Sequence, residues 1–176
     1  MPVTRLNHAV LYVTNVEQTV RFYQEVLQFR VVLSFPGAAF LQAPGSTNDH
    51  DLGLFQVGEK AGRSTAGRST VGLYHIAWEV DTLGELERIE KILTERGSLI
   101  GASDHGTTKA LYAADPDGIE FEVSWLVPAD RLGEAELQGR NAILPLDLAK
   151  EKARYGAATL GGLGVSIPLG VVAQAK

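Results

Sequence analysis

The sequence predicts an α+β protein: two tandem strand–helix–strand–strand–strand (βαβββ) modules whose mixed sheets pair around a cavity. Three observations predict it. The segments LNHAVLYV at 6–13 and LYHIAWEV at 73–80 share Leu, one variable position, His, and then a mainly apolar run ending in Val. Each is followed by a polar turn and an apolar spacing of helical period. Each helix is followed by three short strand-like segments. One such module leaves an apolar sheet face uncovered. A second module can cover it, and ligand sites favour the interface so formed.

The elements follow in order. In the first helix, NVEQTVRFYQEVL, Val16, Val20, Tyr23 and Leu27 form the apolar stripe, with Thr14 or Asn15 as the cap. Strands are expected at 29–35, 38–43 and 51–57. The second helix, DTLGELERIEKILTERG, places Leu83, Leu86, Ile89 and Leu93 on one side, with Asp81 or Thr82 as the cap and Gly97 as the stop. Strands are expected at 98–103, 109–114 and 118–126, the last two joined by the turn DPDG. The domain reading is therefore a first module at 1–58, a linker at 59–71, a second module at 72–127 and a C-terminal extension at 128–176. In the linker the pentamer AGRST occurs twice, as a spacer or a flap. The extension offers a short helix in PLDLAKEKARYG. Its apolar, Gly-rich last 16 residues pack either on the core or on another subunit.

Composition excludes several classes of function. The chain has 176 residues and a formal net charge of −5, and its basic residues form no stripe, which argues against nucleic acid as a partner. With no cysteine there is no disulfide, thiolate nucleophile or zinc–cysteine site. The longest uncharged run is broken by Gly and Pro168 and makes a poor membrane span. A soluble, cytoplasmic homo-oligomer without membrane contact is expected.

The chain's four histidines are His8, His50, His75 and His105. His8 and His75 hold equivalent places in the repeat. An imidazole turned into a cavity between sheets needs a partner there. In the strand IEFEVSW, Glu120, Glu122 and Ser124 face one way and Ile119, Phe121, Val123 and Trp125 the other. Glu122 lies deeper than Glu120. A buried carboxylate is costly unless paired or bound to metal. Two imidazoles and one carboxylate on one side of a divalent ion form a facial triad suited to Fe(II). The plainer reading, packed and hydrogen-bonded histidines with a solvated glutamate, stands beside it. Phe40, Phe55 and Trp78 are read either as pocket wall or as core.

The paired modules, LNHAVLYV, LYHIAWEV and YAADPDGIEFEV resemble the vicinal oxygen chelate superfamily over residues 5–127. HDLGLF and SDHGTTKALYAADPDG are similar to its extradiol ring-cleaving dioxygenases. That resemblance implies His8, His75 and Glu122 as metal ligands, His50 as acid–base residue, and His105 and Tyr112 as groups holding the substrate. It implies Fe(II), with Mn(II) as the alternative ion, and a catechol-type diol and O2 as substrates. Glyoxalase I carries a fourth, glutamate ligand where this chain has Gly53, and Asp51 is the one neighbouring carboxylate able to replace it. The chain departs from the dioxygenase pattern at Ile119, where Asn is usual, and at Thr107–Thr108, where Val–Ser is common. The alternatives are a glyoxalase-like isomerase, lyase or transferase on the same fold, and a metal-free small-molecule-binding module.

Overall fold

The computed structural model describes residues 2–3, 5–63 and 69–162, so part of the AGRST repeat and most of the last 16 residues lie outside the described residues. Two compact units account for the chain: Met1–Gly72 with Asp115–Ile119, and Leu73–Ala114 with Glu120–Lys176.

The first unit contains β1 (Ala9–Val13), α1 (Val16–Leu27), β2 (Arg30–Phe35), β3 (Ala38–Gln42) and β4 (Leu52–Gln56). The sheet order is β1-β4-β3-β2, with β1 parallel to β4 and the other pairs antiparallel. The Asn15 side chain caps α1 by accepting from Gln18 N at 2.8 Å. Of the predicted stripe, Val16, Tyr23 and Leu27 are buried. Phe22 and Val26 join them, while Val20 is half-buried. The stripe is wider than predicted because α1 packs on both β3 and β4. Period-2 alternation buries Leu11, Val13, Leu41, Leu52 and Leu54 on the helix side. It turns Val10, Tyr12, Phe40, Gly53 and Phe55 to the opposite face.

The second unit repeats this order with β5 (Ile76–Glu79), α2 (Leu83–Glu95), β6 (Leu99–Asp104), β7 (Thr108–Ala114) and β8 (Glu120–Leu126). β5 is parallel to β8, as β1 is to β4. A parallel pair needs a long crossover, and in both units the first helix and two strands supply it. Thr82 caps α2, accepting from Glu85 N at 3.2 Å, and Leu83, Leu86, Ile89 and Leu93 are all at most 1% exposed.

The C-terminal extension is structured well beyond the expected short helix. After a 3-10 turn (Ala129–Arg131) come α3 (Glu134–Gly139), the two-residue strand β9 (Leu144–Pro145) and α4 (Leu148–Tyr155). β9 extends the second sheet along β6, and α4 packs on α2. Lys109 on β7 is 1% exposed. Its Nζ lies 2.5 Å from Asp104 Oδ1 and 3.1 Å from Glu151 Oε2 on α4, the latter an ion pair without hydrogen-bond geometry. Among the described residues no helix is long and apolar enough to cross a membrane.

Candidate functional site

The second unit brings four of the predicted residues into one connected set. Phe121, Val123 and Trp125 are 1%, 0% and 0% exposed, so alternation along β8 turns Glu122 to the other face. His75 lies just before β5, and its Nε2 is 3.1 Å from Glu122 Oε2. Tyr112 stands directly opposite Glu122 across the β7–β8 pair, close enough for the carboxylate charge to act on its phenol. The same hydroxyl is 3.0 Å from His105 Nε2. His105 Nδ1 is 3.2 Å from the Ala142 carbonyl oxygen. A carbonyl can only accept, so in the neutral ring Nδ1 carries the proton and Nε2 offers a lone pair to Tyr112. Burial, reinforced by the Glu122 charge and by Tyr74, pushes the Tyr112 phenol up to about 12. It therefore stays protonated near neutral pH, and its single proton serves His105 or Glu122 but not both.

The first unit places His8 beside His50, with ring centroids 4.5 Å apart. His8 is exposed at the mouth of β1, and its Nδ1 is 2.7 Å from Asn7 Oδ1. His50 Nδ1 is 2.9 Å from Asp49 Oδ2. Both partners accept, so both rings hold the proton on Nδ1 and leave Nε2 as the reactive nitrogen. The Phe40 ring meets His50 edge-on at 5.0 Å and Phe55 at 5.8 Å. Gly53 lies against the same ring: a Cβ there would sit 3.4 Å from Val10 Cγ2 and 3.5 Å from Phe40 Cε1, ordinary van der Waals contact.

Asp51 is no substitute for the missing glutamate. Its Oδ2 accepts from Ala43 N at 2.9 Å, and its Oδ1 accepts from Ser46 Oγ and Asn48 Nδ2 at 2.7 Å each. Both oxygens are committed to closing the 43–48 loop. Sequence reasoning missed Asn7, Asp49, Tyr74 and the Ala142 carbonyl. Asn7, Asp49 and Tyr74 each directly precede a predicted histidine, which is a usable signal. Tyr74 packs on His75 with ring centroids 4.5 Å apart. The carbonyl is a backbone group, for which the sequence carries no signal.

The donor set suits a divalent ion in chemistry and, within the second unit, in spacing. Two donors at right angles, each about 2.1 Å from one ion, lie about 3 Å apart, and the His75–Glu122 contact is 3.1 Å. Nδ1 of His75 is buried with no hydrogen-bond partner. The His75–Glu122 contact is a close approach without hydrogen-bond geometry, and an ion binds at Nε2 only when that nitrogen carries no proton. Among the described residues no three His, Asp or Glu side chains converge on one point.

The family model for the Glyoxalase/Bleomycin resistance protein/Dioxygenase superfamily matches residues 5–123. The chain belongs to this superfamily. Within the superfamily, it is 32% identical over 120 residues to a catechol-2,3-dioxygenase of Bacillus subtilis, covering 68% of this chain and 41% of that one. It is 36% identical over 122 residues to biphenyl-2,3-diol 1,2-dioxygenase 3 of Rhodococcus globerulus, covering 68% and 62%. The match thus spans less than two thirds of either dioxygenase. A lactoylglutathione lyase of Neisseria meningitidis serogroup A is 30% identical over 125 residues, covering 67% and 88%. Among solved structures, a superfamily domain from Frankia sp. EAN1pec shares the fold at a TM-score of 0.61 and 19% identity, covering 78% of this chain and 99% of that one. The fosfomycin resistance protein FosX of Listeria monocytogenes shares it at 0.55 and 18%, covering 74% and 100%.

Proposed function

We propose that the chain is a metal-assisted enzyme acting on a small organic molecule, and specifically an Fe(II)-dependent extradiol dioxygenase. It opens a catechol-type vicinal diol with incorporation of both atoms of O2; Mn(II) is the alternative ion. The observation that carries this reading is the connected set His75–Glu122–Tyr112–His105: a nitrogen–oxygen donor pair at coordination spacing beside two groups able to hold hydroxyls. His8, His75 and Glu122 are the proposed ligands.

Bound Fe(II) supplies a redox-active centre with positions left for the diol and O2. Tyr112, kept protonated, donates to a diol oxygen, and His105 Nε2 accepts from a diol hydroxyl, so together they fix its orientation. His50 holds or moves a proton at Nε2, while Asp49 anchors Nδ1 and the Phe40 edge limits the tilt of the ring. The rings of Phe40 and Phe55 suit an aromatic substrate.

The test is oxygen uptake with a panel of catechols after anaerobic loading with Fe(II). Uptake with a ring-cleavage chromophore is the expected result. Metal-loaded protein that consumes no oxygen on any catechol overturns it. The lyase match over 88% of its length favours a second reading, a metal-dependent isomerase or lyase. Gly53 and the fully committed Asp51 weigh against the four-ligand form of that site. Turnover of a thiol adduct without oxygen uptake would decide for it.

A further inference from the structure

The family match stops at residue 123, yet the chain continues into an ordered extension that reaches the functional set. We propose that this extension, Ala129–Tyr155, is a positioning device for His105. Its Ala142 carbonyl holds the Nδ1 proton and so presents Nε2 as the lone pair facing Tyr112. The role assigned to His105 rests on the proposed dioxygenase reading; the clamp itself does not.

Four contacts build the clamp. β9 pairs with β6 at Ser103 and Asp104, next to the histidine. Gly106 and Gly139 touch backbone to backbone: a Cβ on Gly139 would lie 2.9 Å from Gly106 Cα, and one on Gly106 would lie 2.4 Å from the Glu136 carbonyl oxygen. Gly106 also has φ +71, a conformation other residues resist, so the His105 loop is shaped to accept α3. Ala142 N donates to Gly139 O at 2.9 Å, which fixes the turn carrying the carbonyl. Asp104 Oδ1 accepts from Gly106 N at 2.8 Å and from Lys109, and Lys109 is held in turn by Glu151 of α4.

Tautomer choice is where the clamp acts. Nδ1–H on His105 makes the ring an acceptor for the Tyr112 hydroxyl. The opposite tautomer would make it a donor and turn the Tyr112 proton towards Glu122. The Ala142 carbonyl is therefore a positioning group that acts through His105.

The experiment uses the metal-free, full-length, 15N-labelled protein and long-range 1H–15N correlation of the imidazole rings at alkaline pH. His105 is expected with Nδ1 protonated and Nε2 bare. Gly139→Val wedges α3 away from Gly106. It should lower the Nδ1–H to Nε2–H ratio of His105 about five- to tenfold, the worth of one neutral hydrogen bond. Gln138→Ala, on the exposed side of the same helix, should leave the ratio unchanged. A wild-type His105 found as Nε2–H overturns the proposal. So does a folded Gly139→Val protein with the wild-type ratio. The wild-type spectrum decides even if that variant does not fold. Because no turnover is measured, a negative oxygen-uptake assay leaves this test intact.

Discussion

At the scale of single residues, partners decide what each charge or ring can do. His50 is anchored through Nδ1 to Asp49, so its function is concentrated on Nε2. His50→Phe keeps the ring volume beside His8 and Phe40 and removes the proton site. It should lower kcat by about a hundredfold or more while iron content per chain stays unchanged. Equal loss of iron and activity would instead make His50 a ligand. Asp115 gives a pH prediction. Burial pushes its carboxyl up to about 6, partly opposed by N–H bonds from Ile119 and Asp117. Its Oδ2 is buried with no hydrogen-bond partner. A folded-state value above the unfolded value favours the folded, protonated form. The stabilisation is complete below about 3.8 and is lost as pH rises through about 6. Wild type should therefore lose about 3 kcal/mol between pH 3.5 and 7.5 relative to Asp115→Asn, measured by urea unfolding. Parallel stability curves for the two proteins would disprove it.

At the scale of elements, both helices and the six strands following them were legible because their apolar periods are 3.6 and 2 and their turns carry caps and glycines. Asn15 and Thr82 cap as the sequence suggests. The extra burial of Phe22 and Val26 was not legible, because stripe width depends on how many strands the helix covers. Nor were α3 and β9. A two-residue strand has no period, and its conformation comes from pairing with β6. The extension is held by a charge the pattern conceals: Lys109 sits at a strand position but is 1% exposed, inside a cluster with Asp104 and Glu151. Glu151→Ala removes one carboxylate from this buried cation and should cost about 3 kcal/mol. Lys109→Met with Glu151→Leu should recover most of that. Thermal unfolding of the two proteins checks both, and an unchanged midpoint in Glu151→Ala would show that the ion pair does not anchor α4.

At the scale of the whole chain, the repeated topology, first strand parallel to last in each unit, is the architecture the sequence predicts. The proposed ligand set makes a prediction about ion content. After anaerobic Fe(II) loading and desalting, elemental analysis should find about one ion per chain, and a raised unfolding midpoint should accompany it. Glu122→Ala and His75→Ala should each lower iron retention at least tenfold, whereas Tyr112→Phe should leave it intact. Full retention in Glu122→Ala would remove that residue from the ligand set.

The sequence by itself determined the two βαβββ modules, the facing of Glu122 along its strand and the residue types available for chemistry. These are local matters, set by side-chain period, turn residues and composition. The tertiary structure alone decided that Asp51 is committed to a loop and that Lys109 is buried. It also decided that Glu122 meets His75 and Tyr112, and that a backbone carbonyl from beyond the family match reaches His105. Those outcomes depend on which strands pair and on how closely α3 approaches a glycine. Distances between groups far apart in the chain are fixed by packing, which no local pattern encodes.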